Sequence, residues 1–251
     1  MAIGTRSYTR GYLSSSGLPP GIRALLLSNV AIYVITFFLG RRLSVPLDLL
    51  ALRPSDVVTH LYVWQLITYS FLHQGLGHIL FNMLALWMFG TEFERLWGTR
   101  RFLRFYFFCA AGAGLCVVVA NYILGRFGNP DGSTVGSSGA IYGILLASAV
   151  MWPNRQMLFY FLIPIKMKYF VMIIGAIAFL NSFNPASPVS DVAHLGGMLF
   201  GYIFLKIPHT RGVDPIGALR ESYQTWKLAR AKKKFQVYMR KQGSNRDRRI
   251  H

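Results

Sequence analysis

Two residues in this chain are of the types that together cut a peptide bond. Ser138 stands in the run Gly136-Ser137-Ser138-Gly139 at the head of an apolar segment, and His194 stands in Ala193-His194-Leu195-Gly196-Gly197 inside another. An unpaired polar group in hydrocarbon costs roughly 2–7 kcal/mol. A serine and a histidine in two separate apolar segments are therefore expected to serve each other. The service they offer is nucleophile and general base: the hydroxyl attacks a carbonyl while the imidazole takes its proton. That chemistry points to hydrolysis at membrane depth.

Other polar residues fall in register with this pair. His78 and Asn82 are four apart and share one helical face, with His73 just upstream. Polar side chains at membrane depth mark functional sites, although helix–helix hydrogen bonding is the competing use. Tyr142 follows Ser138 by one turn. A serine at a helix start often only caps it. The same helix start also offers free N–H groups and the positive end of a dipole, which stabilise an oxyanion. Gly136 and Gly139 allow unusual dihedrals and close approach. His194, Gly197 and Gly201 share a face, and Gly197-x-x-x-Gly201 is a close-packing pattern that Gly139 and Gly143 repeat. The two segments carrying Ser138 and His194 are thus expected to touch, with both residues near their outer ends.

The elements that must hold these residues are apolar. The 251 residues are 53% hydrophobic and 14% charged, with a mean hydropathy of +0.37, against roughly 25% charged in a soluble domain. Apolar segments fall at about 24–40, 78–97, 102–124, 138–152, 169–183 and 191–206. The last three are short of the roughly 20 residues a span requires. Short segments fit either a bundle that encloses a wet cavity or helices extended by neighbouring polar residues. The expected fold is all-α: a polytopic, six-transmembrane-helix bundle over 24–206. A cytoplasmic segment 1–23 precedes it and a basic cytoplasmic tail 207–251 follows.

Charge sets the orientation. Of 27 Lys and Arg, only Arg41, Arg42, Arg53 and Arg126 fall in the outer loops; the inner stretches carry the whole net charge of +18, and the outer ones sum to zero. The positive-inside rule then places both termini in the cytoplasm, and six spans satisfy the parity. The tail, with Lys232-Lys233-Lys234, reads as a solvated appendage near an anionic leaflet; no nucleic-acid partner is expected. It carries no catalytic constellation and is expected to be dispensable for chemistry. The N-terminus lacks the apolar core of a signal peptide, so the first segment is expected to be an uncleaved anchor. The long first loop, 41–77, is expected to lie partly in the interface. Cys109 and Cys116, seven apart in one helix, lie about 10 Å apart, beyond the roughly 7 Å a disulfide spans. No metal or cofactor site is expected.

These motifs together resemble the rhomboid intramembrane serine proteases. The chain has GxSG at Gly136–Gly139 with Tyr142 following, HxxxN at His78–Asn82, AHxxG at Ala193–Gly197, a Glu94…Gly98 spacing and Trp64 in the first loop, in family order over about residues 22–206. The family often has Trp-Arg where this chain has Trp64-Gln65, a difference that bears on loop packing and lipid contact. The resemblance implies Ser138 as nucleophile and His194 as general base, in a dyad without an acidic third member. Asp191 then caps its helix start, orienting the imidazole being the lesser role. The resemblance also implies an oxyanion hole of His78, Asn82 and the Ser138 backbone N–H, Tyr142 stacked on His194, and room or a donor at Gly136. Substrates would be transmembrane proteins with helix-destabilising residues, cut on the outer side of a bacterial inner membrane. The rival readings are a catalytically inactive relative that binds or escorts membrane clients, which normally lacks the serine or histidine, and a transporter or channel, which would carry charges in mid-helix.

Overall fold

The computed structural model describes residues 17–39, 47–123, 131–159, 163–183 and 190–207, with 227 and 230. The chain divides into two compact units, Met1–Lys206 and Ile207–His251; the first carries every element below. The N-terminal residues to 16, the start of the first loop, and nearly all of the basic tail, Lys232-Lys233-Lys234 included, lie outside the described residues.

The unit is mostly helical. α1 is Pro20–Leu39, α2 Pro54–Thr59 and α3 Gln65–Thr68, the last running into a 3-10 turn at Tyr69–Phe71. α4, Leu76–Ala85, passes through a π-helical turn, Leu86–Gly90, into α5, Thr91–Trp97. Then come α6, Thr99–Val118, and α7, Ser138–Met151. α8 is Met167–Asn181 and α9 Ser190–Lys206. α1 begins four residues before hydropathy alone places it, with Arg23 inside the helix, because a proline fits the first turn, where its missing N–H has no partner to lose. Among the described residues, two helices, Pro20–Leu39 and Thr99–Tyr122, are long and apolar enough to cross a membrane by length and composition alone.

The all-α expectation needs one correction. Gln156–Phe159 and Ile163–Lys166 form an antiparallel hairpin, β1 and β2, between α7 and α8. The run around Met157, Leu158 and Ile165 is apolar enough to pair, and Pro164 has no N–H with which to extend a helix.

α6 is the central post. Its buried residues Phe102, Phe105, Tyr106, Cys109, Ala110, Ala113 and Val117 recur at helical spacing on the face that meets α7 and α9. Its C-terminal half also packs under the first loop, against Leu52, Val57 and Tyr69. Within that loop Gln65 is fully buried. Its Oε1 accepts from Arg53 N at 2.9 Å, its Nε2 donates to Asp56 Oδ2 at 3.2 Å, and neighbouring Trp64 Nε1 donates to Leu49 O at 3.0 Å. The uncharged amide is what this pocket uses: it both donates and accepts, which a guanidinium cannot.

Outside the core, large apolar side chains stand exposed on α1 (Phe37, Phe38), α4 (Leu80, Phe81) and α8 (Met172, Leu180). Such surface is a liability in water and the expected exterior of a protein solvated by lipid.

Glu94 ties α5 to the start of α1. Its Oε1 accepts from Gly21 N at 2.8 Å and from Thr99 Oγ1 at 2.6 Å, and its Oε2 accepts from Ile22 N at 2.6 Å. The carboxylate thereby satisfies orphan N–H groups at the positive end of α1. Hydrogen bonds to a charged group are worth roughly 1.5–3 kcal/mol each, and the three act together. Glu94→Ala is expected to destabilise by about 3 kcal/mol or more, lowering the melting temperature in detergent by roughly 6–12 °C. An unchanged melting curve would show that the tie is incidental.

Candidate active site

Ser138 is the first residue of α7, and the cap position belongs to Ser137, whose side chain makes no capping bond. The Ser138 hydroxyl is therefore not spent on its own helix. It lies 2.9 Å from Nε2 of His194 on α9. The two side chains come from residues 56 apart in sequence. Tyr142, one turn into α7, stacks flat on the imidazole, with centroids 4.0 Å apart and planes at 2°. The His194 side chain is 16% exposed and that of Asp191 12%. Asp191 Oδ1 stands 3.7 Å from His194 Nδ1, near enough for charge attraction and too far for a hydrogen bond. His194 Nδ1 is buried without a hydrogen-bond partner among the described residues.

What brings α7 and α9 to this distance is the lack of side chains between them. A Cβ on Gly197 would lie 1.8 Å from the carbonyl oxygen of Gly139. One turn on, a Cβ on Gly201 would lie 3.0 Å from the Cα of Gly143. On its other side Gly139 meets α6, where a Cβ would come within 2.6 Å of the Ala113 Cβ.

His78 approaches from α4. Gly136 has φ +122, and a Cβ there would lie 2.7 Å from both Cε1 and Nε2 of the His78 ring. Backbone conformation and space both demand glycine at this position. Its N–H donates to Tyr69 O at 2.9 Å, and Leu52 and Thr134 pair as a short bridge just before it. The stretch entering Ser138 is thus sewn to the first loop. Asn82, one turn after His78, is 7% exposed, and its Nδ2 is buried without a hydrogen-bond partner among the described residues. By contrast, Asn29 and Asn121 donate to the carbonyls of Leu25 and Val117 in their own helices.

Two site neighbours had no assigned role in the sequence reading. His73 is 8% exposed, with its Nε2 3.4 Å from the oxygen of fully buried Ser137, and its ring meets His78 edge-on at 5.1 Å. The adjacent serines of Gly-Ser-Ser-Gly and the histidine five before His78 were the available signals. Among the described residues no cluster of His, Cys, Asp or Glu is arranged to hold a metal ion.

A lipid-exposed helical unit holding a serine, a histidine and an unpartnered amide at the meeting of three helices defines an integral membrane protein of a specific kind. The family model for the rhomboid domain matches residues 60–210, which include every residue of this constellation. The chain belongs to the rhomboid family. It is 31% identical over 179 residues to the rhomboid protease GluP of Bacillus subtilis, covering 69% of this chain and 32% of that protein. It is 34% identical over 142 residues to the putative rhomboid protease YdcA of the same organism, covering 56% and 64%. It is 28% identical over 220 residues to the rhomboid protease AarA of Providencia stuartii, covering 75% of each. The chain thus spans about a third of the first relative and under two thirds of the second.

The glycine contact yields a test. Gly197→Ala must push α9 away from α7, and overpacking of this sort costs about 1–3 kcal/mol. The expected outcome is a melting temperature lower by several degrees. A variant as stable as the parent would mean that the helices part without strain.

Proposed function

We propose that this chain is an intramembrane serine protease that hydrolyses peptide bonds in or near transmembrane segments of other membrane proteins, with Ser138 as nucleophile and His194 as general base. The observation that carries this reading is the 2.9 Å contact between Ser138 Oγ and His194 Nε2. The relatives named as rhomboid proteases support the same class.

In the proposed mechanism, Nε2 of neutral His194 takes the hydroxyl proton as Oγ bonds to the scissile carbonyl carbon. The imidazolium then gives that proton to the leaving amine as the C–N bond breaks, leaving an acyl-enzyme. A water entering from the outer face attacks the ester, its proton passing to Nε2 and then to Oγ as Ser138 departs. Stacking on Tyr142 fixes the ring plane. The negative oxygen of each tetrahedral intermediate sits at the start of α7, where the Ser138 N–H and the helix dipole favour it. His78 and Asn82 complete the hole. In favour of Asn82, its Nδ2 is a buried donor with no hydrogen-bond partner among the described residues, as an oxyanion donor in the resting state would be. Asp191, at 3.7 Å, adds at most a distant charge.

The proposed architecture is six spans: α1, α4 with α5, α6, α7, α8 and α9. α7, α8 and α9 have 14, 15 and 17 residues, shorter than the roughly 20 of a full span. Short helices leave a depression through which water reaches the dyad. Both termini are assigned to the cytoplasm, the site to the outer face of a bacterial inner membrane, and residues 207–251 to a tail dispensable for cleavage.

A serine-reactive fluorophosphonate and a reconstituted transmembrane substrate test the assignment together. The parent chain is expected to label and to cleave; Ser138→Ala should do neither, and His194→Ala should not cleave at any pH. Labelling that persists in Ser138→Ala would assign the nucleophile elsewhere, and a parent chain without label or cleavage would favour the client-binding reading. Because the base must be neutral to act, kcat/KM should be well developed at neutral pH and fall in acid. A rate that climbs steadily below about pH 5 would remove His194 from that role.

Asn82→Ala is expected to slow turnover by up to about 10²–10³, as loss of an oxyanion donor does. Unchanged turnover would make Asn82 purely structural.

A further inference from the structure

Ser137 is fully buried immediately before the nucleophile, and its hydroxyl does not cap α7. A buried hydroxyl left unpaired costs about 1–3 kcal/mol. Two side chains face it: His73, whose Nε2 is 3.4 Å away, and fully buried Tyr106 of α6. His73 is itself nearly enclosed, and its ring packs edge-on against His78 with centroids 5.1 Å apart and planes at 65°. His78 also fills the space that any side chain at residue 136 would take. The two residues that precede Ser138 therefore flank His78 by two routes: Gly136 by direct contact, and Ser137 through His73.

Backbone contacts make this arrangement firm. Gly136 N donates to Tyr69 O at 2.9 Å, and the Tyr69 hydroxyl donates to Ala110 O on α6, also at 2.9 Å. The loop residues 69–73 are thus anchored to the post that carries α7, and His73 reaches Ser137 from that anchored segment. Without His73 behind it, the His78 imidazole would have room to turn about its side-chain bonds. A donor aimed at a developing charge loses most of its value when it is free to turn, because orientation in advance is what makes it effective.

We propose that Ser137 and His73 form a buried positioning pair that holds the His78 ring against the strand entering Ser138, setting the oxyanion donor before substrate arrives. Neither residue touches substrate in this role. The inference rests on the proposed protease function and names two residues outside its dyad and oxyanion hole. An interaction realised only in the transition state shows in kcat, with KM little altered.

The test is steady-state cleavage of one reconstituted transmembrane substrate by the full chain. Ser137→Ala is expected to lower kcat about tenfold and change KM less than about twofold, a smaller loss than removing a donor outright. His73→Leu should lose a similar factor, and His73→Gln, which keeps a polar hydrogen-bonding group near the Nε2 position, should recover part of it. Ser137→Ala added to His73→Leu should cost well under the sum of the two single losses, because both remove the Ser137–His73 contact and only Ser137→Ala also touches Tyr106. In a His78→Ala background, Ser137→Ala should have no additional effect. Melting temperatures taken alongside identify any variant that has lost its fold, and for such a variant the His73→Gln against His73→Leu comparison decides the matter. An active parent chain with Ser137→Ala at parental kcat overturns this inference alone. So does an equal tenfold loss in the His78→Ala background, or equal losses in His73→Gln and His73→Leu. A parent chain that cleaves nothing overturns the protease reading and this inference with it.

Discussion

The carbonyl oxygen of Gly139 occupies the place where a side chain on residue 197 would have to be. That exclusion sets the separation of α7 and α9, and the separation sets whether Ser138 and His194 meet. In hydrocarbon there is no hydrophobic gain from bringing helices together, so close backbone approach and the dispersion contacts it allows must supply the association. Glycines at 139, 143, 197 and 201 supply it over two turns, with Ala113 and Cys109 of α6 closing the third side. The 2.9 Å contact at the N-terminal end of α7 follows from this backbone packing.

A second constraint is the cost of polar groups away from water. Several of the buried ones among the described residues solve it locally. Ser148, Asn29 and Asn121 each donate to a carbonyl one turn back in their own helix. Glu94 solves it across elements by taking three donors. Among the described residues, three of the buried side-chain atoms without a hydrogen-bond partner, Asn82 Nδ2, His194 Nδ1 and His73 Nδ1, gather around Ser138; others, such as Asn29 Oδ1 and Thr91 Oγ1, lie singly on other elements. Unsatisfied groups gathered at one place fit a site awaiting a polar reactant.

The first loop is part of the same machinery. Gln65 locks its near half to Arg53 and Asp56. Tyr69 fastens the far half to α6 and to Gly136. α4, which carries His78 and Asn82, leaves this loop directly. Loop packing therefore reaches the proposed oxyanion donors through a continuous set of contacts, of which the His73–Ser137 approach is the last.

The sequence by itself determined the apolar segments, the uneven spread of basic residues between alternate loops, and the residue types present at Ser138, His194, His78 and Asn82. These are properties of residue type and local spacing, and hydropathy and helical periodicity express them directly. The glycine spacing even indicated which helices touch. Tertiary structure decided the rest. That Ser137 takes the cap position and leaves Ser138 free, that Asp191 stops at 3.7 Å from the imidazole, and that His73 lies beside Ser137 are distances between side chains from separate elements. The hairpin at 156–166 and the Gln65 pocket were illegible for the same reason. Contacts such as Ser138–His194, His73–Ser137 and Gly21–Glu94 join residues 56, 64 and 73 positions apart. Only the packing of the whole unit, where each buried group must find room and partners at once, fixes them to within an ångström.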